Sequence, residues 1–136
     1  MSSQTLGDDG SIPDAANLLR RIHPTQVVID ANTGSTRPSS AAFRDPNMSV
    51  DVEHILNALG LDWRFSLGSY PGHSLVRFLA GAARSHGQAV VPLPIAGKNE
   101  AHAEVRGKKT PGIANRLRDA SSWTFIATDS VPVPPS

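Results

Sequence analysis

Apolar residues recur with the period of an α-helix most clearly in residues 49–60. The stripe consists of Val52, Ile55, Leu56 and Leu59, at positions i, i+3, i+4 and i+7. Ser49 has the side chain of an N-cap, Asp51 falls in the first turn, where the helix dipole favours negative charge, and Gly60 can end a helix. The pattern therefore predicts a helix over residues 49–60.

Two more segments are predicted to be helical. Residues 74–87 keep a helical period, although Leu75–Leu79 alone also fits a buried strand, and we favour the helix. The last helix begins with Thr110 as its N-cap and Pro111 at the first helical position, where the missing N–H of proline costs nothing. Its predicted buried line is Ile113, Leu117 and Ala120.

Short β-branched or alternating runs predict the extended parts of the chain. The predicted strands are residues 25–29, 89–94, 101–106 and 123–126. The second is edge-like, because its prolines cannot donate to a ladder, and the third alternates polar with small or apolar residues. Residues 14–22 fit either a short helix or a strand centred on residues 18–22, and residues 31–41 are predicted to form a long polar loop.

Helices and strands in mixed order with short connections predict an α+β fold, in which a small mixed or antiparallel sheet packs against two or three helices. The length of 136 residues fits a single domain, which we place at residues 13–128. The polar, acidic leader 1–12 is predicted to be disordered, and the proline-rich tail 129–136 to be extended.

Composition narrows the classes of function. The chain has no cysteine, which excludes disulfides, thiolate zinc sites and a cysteine nucleophile. The N-terminus lacks the features of a secretory signal, and no apolar run approaches the ~20 residues of a membrane span, so we expect a cytoplasmic protein without membrane contact. The net charge is +1, but residues 98–118 hold six lysines or arginines against two glutamates.

The segment Gly107-Lys108-Lys109-Thr110-Pro111 is the first candidate site. A helix N-terminus presents unpaired N–H groups and partial positive charge, and Lys108 and Lys109 strengthen its attraction for phosphate or carboxylate. Arg106 is predicted to assist from the preceding strand. The segment is not a Walker loop, because His102 occupies the place of the first glycine and Lys109 that of the serine or threonine.

His102 is the candidate acid/base. If the predicted strand 101–106 alternates, then His102, Glu104 and Arg106 share a face that runs toward Lys108. Histidine exchanges protons near neutral pH, and a carboxylate two residues along the strand can orient it. Such a row beside an anion site suits phosphoryl or glycosyl chemistry.

The loop at residues 33–40 is the third candidate site. Glycine and small hydroxyl residues, with Ser39 and Ser40 at the end, let backbone N–H groups approach a ligand, and Arg37 can bind an anion with two N–H groups. Asp30 follows the preceding strand and is placed to act as a general base or metal ligand. The five histidines lack the spacing of a helical zinc site, and we predict no metal site.

Three features are similar to the ADP-ribosyltransferase and RES-type folds that consume NAD. They are an early arginine (Arg20 or Arg21), a serine-rich segment running into Ala41-Ala42-Phe43, and Met48-Ser49-Val50 before a helix. The resemblance implies that an arginine and a serine-bearing strand contact NAD. It also implies a late catalytic glutamate, a role that Glu104 would take, although the glutamate motif of these families is not recognisable here.

We therefore predict a small intracellular domain that binds a phosphate-bearing ligand, either a nucleotide or a nucleic-acid backbone. The predicted ligand contacts are Lys108, Lys109, Thr110, Arg106, Arg37, Ser39, Ser40 and Arg21. A second hypothesis is a transferase or hydrolase, NAD-consuming if the resemblance holds, with catalytic His102 supported by Asp30 and Glu104. A third is a non-catalytic subunit that binds a protein partner. No cofactor or oligomeric state follows from the sequence.

Overall fold

Strands and short helices alternate along the chain in the computed structural model, which describes residues 7–127. The strands are β1 (Asn17–Ile22), β2 (Val27–Ile29), β3 (Thr36–Pro38), β4 (Asn47–Val52), β5 (Ser74–Leu79), β6 (Ala89–Pro92), β7 (His102–Arg106) and β8 (Ser122–Phe125). The helices are α1 (Glu53–Ala58), α2 (Arg64–Leu67), α3 (Ala80–Arg84) and α4 (Pro111–Ala120), and 3₁₀ helices lie at Pro24–Gln26 and Ser40–Phe43. Residues 1–6 of the predicted leader and the predicted tail 129–136 lie outside the described residues.

Six of the strands form one antiparallel sheet with the order β6-β7-β4-β1-β5-β8, and β2 pairs with β3 in a separate two-stranded sheet. The predicted α+β class is wrong: the fold is sheet-rich, with 32% strand and 26% helix. The α-helices of the described chain have only 4 to 10 residues. Helices this short do not build a layer of their own, so the sheet organises the core.

The predicted helix 49–60 is wrong in its first half. Residues up to Val52 belong to β4, and α1 begins only at Glu53. The residues of β4 that alternate inward and are buried are Met48, Val50 and Val52. This is the two-residue period of a strand. Consequently Ser49 lies within a strand instead of capping a helix, and Asp51 is a buried strand residue.

The predicted helix 74–87 is also wrong in its first half, which forms β5, and α3 follows from Ala80. β5 lies between β1 and β8, and Leu75 and Val76 are both fully buried although they are adjacent in sequence. A strand covered on both faces is a continuous apolar run, which periodicity does not distinguish from a buried helix. The open alternative for residues 14–22 resolves as the strand β1.

Other predicted elements are confirmed in part. The 3₁₀ helix Pro24–Gln26 shortens the strand predicted at residues 25–29 to β2, and Ala120 of the predicted buried line of the last helix is exposed. α4 begins at Pro111 with Thr110 as its N-cap, and the Thr110 Oγ1 accepts a hydrogen bond from the Ile113 N–H at 3.2 Å. β6 lies at an edge of the sheet, and the side chains of β7 alternate between half-buried and buried. The predicted loop 31–41 is only partly irregular, since it contains β3 and the beginning of the 3₁₀ helix Ser40–Phe43.

Apolar clusters cover both faces of the six-stranded sheet. Successive strand residues point to opposite faces, so Leu18 belongs to the larger cluster and Leu19 to the smaller one. The larger cluster includes Phe43 and Leu117, from the 3₁₀ helix and α4 respectively. The smaller cluster includes the partly buried Phe65 of α2. No helix within residues 7–127 is long and apolar enough to span a bilayer.

Candidate functional site

The two central strands of the sheet, β1 and β4, separate after a short paired region. Their register joins residues 18–19 of β1 to residues 51–52 of β4 and extends no further. Arg20 bridges the gap beyond this point: its Nε donates to the Ala42 carbonyl at 3.1 Å and its Nη1 to the Ser49 carbonyl at 3.0 Å. The guanidinium thus satisfies a carbonyl on β4 that β1 no longer reaches.

A cavity of about 330 Å³ opens where the strands separate. Its polar residues include Arg20, Arg21, Ser49, Asp51, Asn99 and His102. Leu19, Phe65 and Ile95 contribute apolar surface, and the side of Tyr70, which is 48% exposed, connects the cavity to solvent. The walls therefore come from β1, β4 and β7, from α2 and from the loop before β7.

Arg20 and Arg21 give the cavity an excess of positive charge. The Arg21 Nη1 donates to the Ser66 carbonyl at 3.0 Å, and its guanidinium carbon lies 4.1 Å from the centre of the Tyr70 ring. Within residues 7–127 neither guanidinium forms an ion pair with a carboxylate. Burial lowers the pKa of Arg20; the charge of Asp45 opposes this decrease, and the charge of Arg21 adds to it.

Asp51 brings a carboxylate to the cavity, and neighbouring side chains satisfy it. Its Oδ2 accepts a hydrogen bond from the Ser66 hydroxyl at 2.6 Å, and its Oδ1 accepts one from the Asn99 amide at 2.8 Å. Asp51 is only 5% exposed. These two bonds tie α2 and the loop before β7 to β4, and they fix the shape of the cavity wall.

His102 is held in one orientation within the cavity. Its Nδ1 lies 2.9 Å from the Leu93 carbonyl, and its Nε2 lies 3.3 Å from the Ser49 hydroxyl. Because a carbonyl oxygen only accepts, Nδ1 must carry the proton in this contact. The Nε2 of the neutral ring is therefore an acceptor that faces the Ser49 hydroxyl.

The two lysines of the sequence-predicted anion site do not act together. Lys109 is only 9% exposed, and its Nζ donates to the carbonyls of Val105 at 2.8 Å and Gly107 at 3.2 Å. Burial lowers the pKa of Lys109 to about 8. Lys108 is exposed, and the hydroxyl of Thr110 caps its own helix. The helix start is thus closed by its own residues, with Lys109 turned inward.

The predicted row of His102, Glu104 and Arg106 shares one face of β7, since these residues are half-buried while Ala103 and Val105 between them are buried. Glu104, however, accepts a hydrogen bond from the Arg106 Nε at 2.8 Å. The carboxylate that was expected to orient His102 is therefore engaged elsewhere, and the Leu93 carbonyl holds the imidazole instead.

The remaining predicted site residues do not line the cavity. Asp30 and Arg37 form an ion pair at 3.3 Å across β2 and β3. The backbone N–H of Asn32 is the main cause of the lowered pKa of Asp30, and Arg37 lowers it further. The Ser39 hydroxyl caps the 3₁₀ helix that begins at Ser40 by accepting a backbone N–H at 3.2 Å. These groups hold the two-stranded sheet and its turn together.

The cavity thus brings together Arg21 and His102 of the predicted site residues, and it adds residues that the predictions had placed elsewhere. Ser49 and Asp51 had been assigned to a helix start, and Arg20 had entered only through the resemblance. The signal that could have found the site is the adjacent pair Arg20-Arg21 between the apolar residues Leu19 and Ile22 of one strand, because charged residues are rarely buried without a partner.

Among residues 7–127 no three His, Asp or Glu side chains are grouped in a way that could hold a metal ion. Comparison of the chain with protein-family models, with curated proteins and with solved structures finds no significant match.

Proposed function

We propose that this domain binds a small phosphate ester of nucleotide size in the cavity between β1 and β4. The observation that carries the proposal is the pair Arg20 and Arg21, two guanidinium groups at one cavity without a carboxylate partner in the described chain. Guanidinium groups bind phosphate through parallel N–H donors. Of the three guanidinium nitrogens of Arg21, Nη1 alone has a protein acceptor among residues 7–127. The Nε and Nη2 of Arg21 are therefore left for a ligand.

An adjoining cavity favours an ester over inorganic phosphate. It has a volume of about 270 Å³, and Phe65 and Asn99 line both cavities. Leu56, Leu59 and Leu61 supply its apolar wall. A ligand with its phosphate at the arginines can place an organic group such as a base against this wall.

A discrete nucleotide fits these features better than a nucleic-acid backbone. Binding along a polymer uses a row of exposed cations that contact successive phosphates. Here Lys109 is turned inward and Arg106 is paired with Glu104, whereas Arg20 and Arg21 both line one cavity. The charge is concentrated at a single site.

Isothermal titration calorimetry at low salt tests the proposal with AMP, ribose 5-phosphate, adenosine, inorganic phosphate and NAD as ligands. We expect one saturable site at which AMP binds more tightly than ribose 5-phosphate, with adenosine weakest. Arg21→Gln should weaken AMP binding about 10- to 100-fold, since a hydrogen bond to a charged group contributes roughly 1.5–3 kcal/mol.

Two variants serve as matched controls. Arg116→Gln makes the same change of charge at an exposed position of α4, and Lys108→Gln removes the exposed lysine of the helix start. Both should bind AMP within about twofold of the unaltered protein, a difference below 0.5 kcal/mol. Absence of AMP binding, or equal losses in Arg21→Gln and Arg116→Gln, would contradict the proposal.

A further inference from the structure

The Ser49 hydroxyl and the His102 imidazole form a pair inside the cavity that ligand binding alone does not require. The Nε2 of His102 lies 3.3 Å from the Ser49 Oγ, slightly longer than an ideal hydrogen bond. Catalytic hydrogen bonds are often long before substrate arrives. A serine beside a histidine, whose other nitrogen is held by a third group, is the arrangement that activates a hydroxyl nucleophile. The third group here is the Leu93 carbonyl.

The backbone around Ser49 is fixed and faces the cavity. The Arg20 guanidinium holds the Ser49 carbonyl at 3.0 Å on the edge of β4 that β1 has left. In an antiparallel strand the N–H and C=O of one residue point to the same edge. The Ser49 N–H therefore points into the gap, where it can stabilise negative charge on a group bonded to the Ser49 Oγ.

Asp51 lies directly opposite His102 in the register of β4 and β7, so the two side chains are on the same face of the sheet. Its oxygens are held by Ser66 and Asn99, which prevents the carboxylate from turning away. Asp51 is a positioning residue: through Ser66 and Asn99 it fixes the cavity wall beside His102 and does not contact the reacting atoms.

We propose that Ser49 is a nucleophile that accepts the phosphoryl group of the bound ester, with His102 as its general base and acid. The inference rests on the proposed function, because Arg20 and Arg21 must first hold the phosphate in the same cavity. It makes the domain a phosphoesterase of the serine–histidine type, and the adjoining cavity holds the alcohol that leaves.

The reaction balances in two steps. The Ser49 Oγ attacks phosphorus while its proton passes to the His102 Nε2; the Oγ–P bond forms, the ester P–O bond breaks, and the leaving alkoxide takes the proton from Nε2. A water molecule then attacks the phosphoserine and gives a proton to Nε2. The Oγ–P bond breaks, Ser49 recovers its proton, and inorganic phosphate leaves. The sum is ester and water to alcohol and phosphate.

An alkyl fluorophosphonate that carries biotin tests the nucleophile without depending on phosphate affinity. Attack by an activated serine forms an Oγ–P bond and releases fluoride, so tandem mass spectrometry should find the adduct on Ser49. We expect Ser49→Ala to abolish labelling and His102→Gln to slow it at least about 100-fold, the lower range of a general-base contribution. Ser35→Ala and His54→Gln alter exposed residues outside the cavity and should label at the unaltered rate.

The inference is overturned if the unaltered protein is not labelled, if the adduct lies on another serine, or if a folded His102→Gln variant reacts at the unaltered rate. Far-ultraviolet circular dichroism checks that each variant folds, and the adduct site in the unaltered protein remains decisive if His102→Gln does not fold. Calorimetry with AMP separates the two proposals: binding without labelling overturns the nucleophile alone, and labelling without binding overturns the phosphate site. Hydrolysis of p-nitrophenyl phosphate should be lost in Ser49→Ala.

Discussion

Lys109 does not have the role in anion binding that its neighbours in the sequence suggest. Its ammonium group closes the turn after β7 by donating to two backbone carbonyls, those of Val105 and Gly107. Gly107 has a φ of +148°, and a Cβ at this position would lie 2.7 Å from the side chain of the buried Gln88. The turn therefore needs a glycine for backbone and space, and a lysine to satisfy its carbonyls.

The buried ammonium predicts a stability that depends on pH. Burial lowers the pKa of Lys109 from its ordinary value of 10.5 to about 8. Between these values the unfolded chain binds the proton that the folded protein has released, so the free energy of unfolding rises with pH across this window. Relative to Lys109→Met, the unaltered protein should gain roughly 1–3 kcal/mol from pH 8 to 10.5, measured by urea unfolding.

The difference from Lys109→Met cancels the other groups that titrate in the same range. Lys108→Met is the matched control, because Lys108 is exposed. Its stability difference from the unaltered protein should stay constant over this pH window. A constant difference for Lys109→Met as well would show that the Lys109 ammonium is not buried.

At the scale of elements, α4 is the helix whose beginning is specified most clearly. The Thr110 hydroxyl accepts the Ile113 N–H at 3.2 Å, Pro111 occupies the first turn, and Ala114 and Leu117 are buried. Thr110→Ala should lower the free energy of unfolding by about 1 kcal/mol, because an N-cap side chain contributes roughly 0.5–2 kcal/mol. Thr110→Ser keeps an acceptor oxygen and should stay within about 0.3 kcal/mol. Equal losses in the two variants, measured by urea unfolding, would exclude a contribution from the cap.

Elements were predictable from sequence where a local signal decides them. Thr110 and Pro111 define the start of α4 without help from the rest of the chain, and Pro92, the last residue of β6, marks an edge strand. The sequence of β5 fits a helix because apolar clusters cover both of its faces, which removes the alternation. Helical spacing over residues 49–60 was misleading because Val52 belongs to β4, which ends there, while Ile55 and Leu56 belong to α1.

At the scale of the whole molecule, ion pairs, a hydrogen bond and a buried side chain hold residues 8–14 against the sheet and α3. The Arg84 guanidinium on α3 binds the carboxylates of Asp8 at 3.0 Å and Asp14 at 2.8 Å. Ile12 between them is 1% exposed, and the Asp9 N–H donates to the Val90 carbonyl at 3.1 Å. This segment therefore extends the larger apolar cluster beside β6 and α3.

The cavity also depends on the arrangement of the whole sheet. Arg21, Ser49 and His102 come from three strands, and their proximity depends on the order in which those strands pair. A local feature of the sequence singled out His102, which lies on an alternating strand, whereas Arg21 entered through the resemblance to NAD-consuming folds. No local feature of the sequence predicts the separation of β1 from β4, because this separation is a property of the sheet register.

The central claim, that the cavity between β1 and β4 binds a phosphate ester, is tested most directly by nuclear magnetic resonance. A titration of ¹⁵N-labelled protein with AMP should shift the backbone amide signals of Arg21, Ser49, Asn99 and His102 together, along one saturation curve. The signals of residues 108–112 at the start of α4 should move little. Absence of shifts at the cavity, or shifts confined to residues 108–112, would contradict the account.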